Sequence, residues 1–388
     1  MLKWLCAIIS CTILIYGCIK SINKPISEGE IKSVGVGFEV FYNLKAKEKF
    51  AILYPPLPGI ISYSTLNSIY QPQTASIIPS GNYFGLVSFM FAIETPNLIG
   101  SEILSTVGEE NFKVIRYINI LWVVLLLLFV SKGDIGFIGV LSLFLYPLTD
   151  IMMNSNVQIL SALLVILVLE LMNSILSCIS YIKFILLGIV FGLLISVSGT
   201  NGFLFGGVAV ISQIIWRDIE GKKLSKGFKK EWLFGSLLAI FTGMVVAWIC
   251  YGMDLACFCQ LQSLLGFEPT NSARVVPFFD SMKQIVFESV FAIYGHKYSF
   301  FGNLRGFFTI HNAIITTLSL FMMIKRFNQY GIFSIILILA ICIYNDVDED
   351  KIQIFFEITS IILTSLTGLS VWKIYLNSMQ FSISKSII

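Results

Sequence analysis

Long apolar runs separated by shorter polar segments dominate this chain. Runs of roughly membrane length recur about ten times and are typical of transmembrane helices. The predicted spans are Leu2–Ile19, Ile115–Val130, Ile135–Leu148, Val157–Met172, Ile175–Val197, Gly202–Trp216, Trp232–Tyr251, Phe307–Ile324, Gly331–Tyr344 and Ile354–Tyr375. The pattern therefore predicts an all-α polytopic membrane protein whose first helix is kept rather than removed as a signal peptide.

The basic residues fall mostly on alternate loops between these spans. The segment from Arg217 to Lys230 is the longest basic loop, and the positive-inside tendency places it in the cytoplasm. Ten spans then put both termini on that side, together with these other basic residues: Lys3, Lys132, Lys325, Arg326, Lys373 and Lys385. We therefore expect an integral, multi-pass protein located in a bacterial inner membrane.

Two long segments are left on the opposite side, at about 20–113 and 252–306. Each belongs to one of two predicted modules: the first lies in a membrane module of residues 1–216, and the second lies among the C-terminal membrane helices, residues 217–388. Apolar residues recur at helical spacing in three stretches, which we predict to be interfacial helices: Gly85–Ile93, Ser101–Arg116 and Ser281–Tyr294. In contrast, Tyr54-Pro55-Pro56-Leu57-Pro58-Gly59 is predicted to be stiff and extended, because proline restricts its own φ and the residue before it.

Composition and the absence of certain motifs exclude several classes of function. Hydrophobic residues make up 56% of the 388 residues and charged residues 13%, so most of the apolar surface is expected to meet lipid. The net charge of +3 gives no reason to expect a nucleic-acid partner. The sequence lacks a phosphate-binding loop, a zinc-protease motif and a serine-hydrolase elbow. Two histidines make a His-based metal site a poor fit, whereas a divalent cation held by Asp or Glu stays open.

Carboxylates near the predicted outer face are the first candidates for chemistry. Glu28 and Glu30 begin the first outside loop, Glu39 follows them, and Asp150 closes Tyr146-Pro147-Leu148-Thr149-Asp150 at the end of a span. A carboxylate in such a place can remove a proton from a hydroxyl group. Each is equally compatible with a solvated loop charge or a helix cap.

A second group combines cations with aromatic rings in the later outside loop. Tyr294-Gly295-His296-Lys297-Tyr298 is followed by Asn303-Leu304-Arg305-Gly306. Such residues suit a lipid phosphate and a sugar ring, because arginine matches phosphate oxygens with paired donors. Interfacial anchoring by the same residue types is the alternative.

The order of these features resembles the GT-C superfamily of integral-membrane glycosyltransferases, of the polyprenyl-phosphate-sugar-dependent mannosyltransferase type. The resemblance covers mainly residues 1–216. It rests on the early carboxylates, Tyr54-Pro55-Pro56-Leu57-Pro58, Asp150, and Val107-Gly108-Glu109-Glu110-Asn111-Phe112-Lys113-Val114-Ile115-Arg116 leading into the second span. It implies that Glu30 or Glu28 is the base, that Tyr54 and Pro55 shape the cavity, and that Arg116 opens the second span. Family members usually carry Asp, often paired, where this chain has Glu-Gly-Glu.

The implied reaction is inverting sugar transfer from a polyprenyl-phosphate donor to a glycan, lipid or protein acceptor at the periplasmic face. His296, Lys297 or Arg305 would bind the substrate, with the Lys or Arg stabilising the leaving phosphate. Two other functions fit the same layout less fully. An O-antigen polymerase or ligase type of enzyme shares the long late loop, and a lipid-linked glycan transporter would need charges inside its spans.

Overall fold

The computed structural model describes residues 2–43, 55–71, 89–154, 156–219, 226–250, 329–343 and 349–386, and these residues are almost entirely helical. The helices are α1 Leu2–Ile22, α2 Glu28–Asn43, α3 Pro56–Tyr70, α4 Phe89–Val107, α5 Glu109–Phe112, α6 Val114–Ser131, α7 Ile135–Leu145, α8 Thr149–Asn154, α9 Asn156–Ser177, α10 Tyr181–Ser198, α11 Thr200–Ile219, α12 Lys226–Cys250, α13 Gln329–Ile343 and α14 Glu349–Ser386. A single 3₁₀ turn, Tyr146–Leu148, joins α7 to α8.

Seven of the described segments are long and apolar enough to cross a membrane. They are Trp4–Ile22, Glu109–Ser131, Ile135–Met153, Val157–Ser177, Tyr181–Ser198, Asn201–Ile219 and Lys230–Cys250. Two shorter apolar helical segments, Tyr330–Ala340 and Gln353–Leu369, coincide with the last two predicted spans. The prediction of a polytopic, helical membrane protein is therefore confirmed. The predicted span Phe307–Ile324 lies outside the described residues, so the predicted total of about ten spans is not tested.

One predicted span boundary is wrong. The sequence placed the start of the fifth span at Ile175, but α9 continues to Ser177 and α10 begins only at Tyr181. The Lys183 ammonium donates to the carbonyls of Ser174 and Cys178 at 2.9 Å each. A cation that caps the last carbonyls of a helix stabilises its end, so Lys183 favours the break between α9 and α10.

Helix α9 lies at the centre of the bundle. Of the residues in its span, 67% are buried, the largest share among the seven candidate spans. It packs against α6, α10, α11 and α14, with Ile159, Val165 and Val168 fully buried. The central position of α9 explains why its sequence is apolar all round rather than on one face.

Glycines bring α10 and α12 into backbone contact. Gly188 and Gly192 are four residues apart on α10, and a Cβ at Gly192 would lie 2.5 Å from the carbonyl oxygen of Gly243 on α12. Gly188 faces the Ala239 carbonyl in the same way. This small-residue pairing is typical of membrane helices, in which close backbone approach drives association.

The first loop folds into a helical unit, α2 to α4, which we call the cap. Its apolar core contains Val34, Phe38, Tyr63, Leu66, Ile99 and Ile103. Glycines again set the spacing, because Gly37 of α2 packs on the Gly59 backbone of α3 and Gly35 on the Pro96 backbone of α4. The described part of the predicted polar loop is thus a packed structure above the bundle.

The prediction of a stiff, extended Tyr-Pro-Pro-Leu-Pro stretch is wrong for its described part. Pro55 is extended, with φ −53° and ψ 118°, but α3 begins at the next residue, Pro56. Proline is well tolerated in the first turn of a helix, where its missing N–H has no intrahelical partner to lose. Both Pro56 and Pro58 are buried there. The prolines therefore start a helix rather than prevent one.

The predicted interfacial helices are only partly matched. Helix α4, Phe89–Val107, runs through parts of both Gly85–Ile93 and Ser101–Arg116, and the latter stretch breaks at Gly108, where φ is +84°. Arg116 belongs to α6. The stretch Ser281–Tyr294 lies outside the described residues.

Described basic side chains lie at both ends of the bundle, with Lys24, Lys113 and Arg116 at one of them. We call the end where α1 finishes and α6 begins the Arg116 end. Lys132, Lys183 and Arg217 all lie at the opposite end, where Lys132 contacts Glu170 and Arg217 donates to the Leu176 carbonyl. Helix α10 ends at Ser198 and α11 begins at Thr200, so Gly199 alone separates them.

The α10–α12 contact predicts a sharp difference between two glycine substitutions. Gly192→Ala should lower the unfolding free energy by about 1–3 kcal/mol, because the added methyl group overpacks the contact with Gly243. A Cβ at Gly207 meets nothing within 4 Å, so Gly207→Ala should be neutral or slightly stabilising. Thermal unfolding of both variants in detergent checks this, and equal melting temperatures would contradict it.

Candidate functional site

Arg116 organises the Arg116 end of the structure. Its side chain is 1% exposed, and its five N–H groups are all used. Nη1 donates to the carbonyls of Ile22 and Lys24 at 2.7 Å each, and Nη2 donates to the Pro25 carbonyl at 2.8 Å. A guanidinium at the carbonyl end of α1 satisfies acceptors that the helix leaves unpaired.

The remaining two donors of Arg116 hold Glu30. Nε lies 2.5 Å from Oε1 and Nη2 lies 2.7 Å from Oε2, which is the paired geometry that arginine and a carboxylate favour. Glu30 is 3% exposed. Arg116 thereby joins the end of α1 to the start of α2. It stands 86 positions after Glu30 in the sequence.

Glu30 also caps α2 in a reciprocal pattern with Ser27. Its Oε2 accepts from the Ser27 backbone N–H at 2.8 Å and from the Ser27 hydroxyl at 2.9 Å, while the Glu30 N–H donates to Ser27 Oγ at 3.3 Å. This is a capping box, which satisfies two unpaired donors at a helix start. The signature Ser-x-x-Glu stands in the sequence, and its recognition would have predicted the start of α2.

The surroundings of Glu30 bear on its predicted role as a base. Its two oxygens accept four hydrogen bonds, two of them from a buried cation. Taking up a proton in this arrangement would break a charge-assisted pair in a region that water does not reach. In the described geometry Glu30 positions the cap, and its catalytic role stays a prediction.

Asp150 lies at the same end but is open to solvent. It occupies the first turn of α8, where Oδ1 accepts from the Ser21 hydroxyl at 2.6 Å and Oδ2 pairs with the Lys24 ammonium at 2.7 Å. The two side chains of the ion pair are 47% and 56% exposed for Lys24 and Asp150. Asp150 and Arg116 thus hold the same α1–α2 connection from two sides.

Glu28 is the least engaged of the three predicted carboxylates. It lies in the first turn of α2, is exposed, and accepts a hydrogen bond from Asn97 Nδ2 of α4 at 3.1 Å. The Asn97 side chain carries no charge. Glu28 therefore stays available to a ligand at the surface of the cap.

Of the other predicted site residues, the structure describes Pro55. Pro55 lies beside the α10–α11 turn, with its Cγ 3.3 Å from where a Cβ of Gly199 would stand, so it joins the cap to that part of the bundle. Tyr54, His296, Lys297 and Arg305 lie outside the described residues. The structure brings together Glu28, Glu30, Asp150, Pro55 and Arg116 at one end of the molecule.

Glu39 was noted in the sequence, but its burial could not be seen there. It is 1% exposed on α2, and its Oε2 has no hydrogen-bond partner among the described residues. Desolvation by burial raises the pKa of the Glu39 carboxyl well above its ordinary value. Gly35, one turn earlier on the same face, packs on α4, which indicates that Glu39 lies within the cap.

No group of three or more His, Cys, Asp or Glu side chains close enough to hold a metal ion exists within the part of the chain that the structure describes.

Comparisons with known proteins add no family to this geometry. No family model, no curated protein and no solved structure matches the chain.

The Arg116–Glu30 pair predicts a large, non-additive effect on stability. Arg116→Met should lower the unfolding free energy by about 3–5 kcal/mol, because it leaves the Glu30 charge buried without a partner. Adding Glu30→Gln should restore part of that loss. A thermodynamic cycle of the two single variants and the double variant, unfolded in detergent, measures the coupling.

The Lys132–Glu170 pair, 3.2 Å apart, serves as the control, because Lys132 is 66% exposed and Glu170, 21% exposed, keeps a hydrogen bond from Tyr330. Lys132→Met should cost about 0–1 kcal/mol, since solvent screens such pairs. An Arg116→Met loss no greater than this would show that Arg116 does not hold the cap.

The burial of Glu39 predicts the direction in which folding stability changes with pH. Its folded-state pKa is raised above the ordinary value of 4.5, so the folded protein binds more protons than the unfolded chain between the two values. The contribution to stability is present at acid pH and is lost as pH rises toward the folded pKa. Glu39→Gln should abolish this loss and stabilise the protein at neutral pH. Melting curves from about pH 5 to about pH 8 test it, and parallel profiles for both proteins would contradict it.

Proposed function

We propose that this chain is a multi-pass membrane glycosyltransferase that moves a sugar from a polyprenyl-phosphate donor to an acceptor hydroxyl at the Arg116 end. The observation that carries the proposal is the cap itself. A buried Arg116–Glu30 pair fixes it against the ends of membrane-length helices, while Glu28 and Asp150 remain exposed there. A lipid-borne donor would present its reactive carbon at such a junction of water and hydrocarbon.

Among the three carboxylates, we assign the base to Glu28 first and Asp150 second. Glu28 accepts one hydrogen bond, from the neutral Asn97 side chain, and its exposed carboxylate can be reached by an acceptor hydroxyl. Asp150 would give up a pair with Lys24 and a bond from Ser21. Glu30 would give up four accepted bonds in a buried place, which leaves it the role of holding the cap.

The chemistry is a single displacement with inversion. The carboxylate takes the proton of the acceptor hydroxyl, and the oxygen forms a bond to the anomeric carbon. The bond from that carbon to the phosphate oxygen breaks, and its electron pair leaves with the polyprenyl phosphate. Lys297 or Arg305 would offset the growing charge on the phosphate, as cations do at developing anions. Positioning of donor and acceptor supplies the rest of the rate enhancement.

The long basic segment from Arg217 to Lys230, from the end of α11 into α12, supports an orientation for this reaction. Lys132, Lys183 and Arg217 share the end away from the cap, and positively charged loops favour the cytoplasm. We therefore propose that the cap faces the periplasm of a bacterial cell, with the chain in the inner membrane and both termini in the cytoplasm. Membrane lipid surrounds the helices, and the acceptor is a glycan, lipid or protein.

Sugar transfer from a panel of radiolabelled polyprenyl-phosphate sugars in membranes tests the proposal. Glu28→Gln should reduce transfer by about 100-fold or more, the size expected for removal of a general base. Asp150→Asn should reduce it less if Glu28 is the base. Glu231→Gln, an exposed carboxylate near the start of α12 at the opposite end, is the matched control and should leave transfer unchanged.

Three outcomes would be read differently. Full activity in Glu28→Gln with loss in Asp150→Asn moves the base to Asp150. Loss in Glu231→Gln as well indicates a general defect of accumulation rather than a catalytic one. The glycosyltransferase proposal would be overturned if the unmodified chain transferred sugar from no donor in the panel when acceptor membranes are supplied.

A further inference from the structure

A carboxylate of α14 lies buried in the bundle, close to the start of its helix. Glu357 is 8% exposed and stands within the apolar segment Gln353–Leu369. Its Oε2 accepts from Gln158 Nε2 at 2.7 Å and its Oε1 accepts from Gln353 Nε2 at 2.9 Å. We call these three side chains the α14 cluster. None of the ion pairs among the described residues includes Glu357, and an ionisable group placed in this way marks a functional site by default.

The α14 cluster belongs to the Arg116 end of the bundle. Gln158 lies in the first turn of α9, shortly after Asp150 in the chain. Between these two residues, the Met153 carbonyl accepts a hydrogen bond from Asn119 Nδ2 of α6 at 3.3 Å. Asn119 stands one turn after Arg116 on α6, so the start of α9 is held at the end where the cap and the exposed Asp150 carboxylate lie.

The cluster extends from the surface into the bundle. Gln353 is exposed, whereas Gln158 is 6% exposed and Glu357 is nearly as deeply buried. Glu357 follows Gln353 by one helical turn, so the two side chains stand on the same face of α14. A polar group that enters beside Gln353 therefore meets the Glu357 carboxylate next.

The cluster has hydrogen-bonding capacity that its own members do not use. An ionised carboxylate has about four acceptor sites, and the two amides occupy one on each oxygen of Glu357. The exposed Gln353 amide adds a second N–H and a carbonyl oxygen. Acceptors outnumber donors among these groups, which favours a ligand rich in hydroxyl groups over an anion. A sugar ring has hydroxyls on adjacent carbons, and two of them can donate to one carboxylate.

Joining α9 to α14 does not by itself require a carboxylate. Hydrogen bonds between neutral polar side chains connect helices in many membrane bundles. A carboxylate at the position of Glu357 adds the cost of burying a charge, and hydrogen bonds from a ligand would offset that cost.

We propose that the α14 cluster binds the hydroxyl groups of the sugar that the lipid donor carries. The inference rests on the proposed function and extends it, because it assigns recognition of the sugar to a helix outside the cap. Glu357 accepts from two sugar hydroxyls, and Gln353 bonds to the ring from the surface side. Proton transfer stays with Glu28 or Asp150. A site that hydrogen-bonds a hydroxyl in a buried place rejects analogues that lack it.

Binding of the sugar can be measured separately from its transfer. The full chain in detergent is melted with the polyprenyl-phosphate sugar that the transfer assay identifies, and in parallel with polyprenyl phosphate alone. The additional rise in melting temperature with the sugar reports its recognition, because a ligand of the folded state stabilises it by mass action. Glu357→Gln should abolish the additional rise and keep the rise caused by polyprenyl phosphate. It should also raise the donor KM about tenfold or more, as expected for lost hydrogen bonds to a charged group.

Two further variants complete the experiment. Glu170→Gln is the matched control, since Glu170 is a carboxylate of α9 at the opposite end, 21% exposed and bonded to Tyr330. It should keep both rises in melting temperature. Gln353→Ala changes an exposed position, so it decides the matter where Glu357→Gln fails to accumulate, and it should raise the donor KM several-fold.

The outcomes separate this inference from the proposed function. Transfer that persists together with a sugar-dependent rise that survives Glu357→Gln overturns the sugar site and leaves the glycosyltransferase proposal standing. An unchanged donor KM in Gln353→Ala does the same. A lower melting temperature in Glu357→Gln with both rises retained also overturns the site, and assigns the cluster to joining α9 and α14. Absence of transfer from every donor in the panel overturns both proposals together.

Discussion

The complete use of one guanidinium group is the constraint on which the Arg116 end depends. Arg116 has no donor to spare: three N–H groups hold carbonyls at the end of α1, and two hold Glu30 at the start of α2. A buried cation must be matched in this way or its desolvation is not offset. The pair holds a membrane helix against the cap, together with the apolar contacts of Phe112 and Ile115 in the core of the cap. Lysine, with one point of charge and three donors, would not reproduce this arrangement.

Glycine contacts perform the corresponding task elsewhere. The cap is joined through Gly35 and Gly37, and the α10–α12 pair through Gly188 and Gly192. In both places backbones approach until no side chain fits, so the relative position of the helices is set by sterics rather than by charge. The Arg116 end therefore combines two rigid units, bundle and cap, with polar groups concentrated where they meet. That division suits the proposed reaction, whose donor belongs to the membrane.

Sequence reasoning succeeded for the long apolar helices, misread some local signals and could not predict contacts between distant residues. The apolar runs predicted α1, α6, α7 and α9 to α12 because hydropathy over about twenty residues is a property of the segment itself. The Pro55-Pro56 stretch misled because proline is compatible with both an extended chain and a first helical turn. Glu30 was selected as a carboxylate, yet its partner is 86 positions away and could not be read from spacing. The burial of Glu39 and Glu357 likewise depends on helices that meet only in the folded chain.

The prolines that open α3 have a consequence for anions. Helix starts ordinarily bind phosphate through a set of free backbone N–H groups. Pro56 and Pro58 remove two of these donors from the first turn, and both residues are buried. The start of α3, although it lies at the Arg116 end beside Gly199, is thus a poor cradle for a phosphate. A lipid phosphate that reaches this surface has to be recognised by side chains, which makes its recognition dependent on the charge of individual lysines and arginines and therefore sensitive to salt.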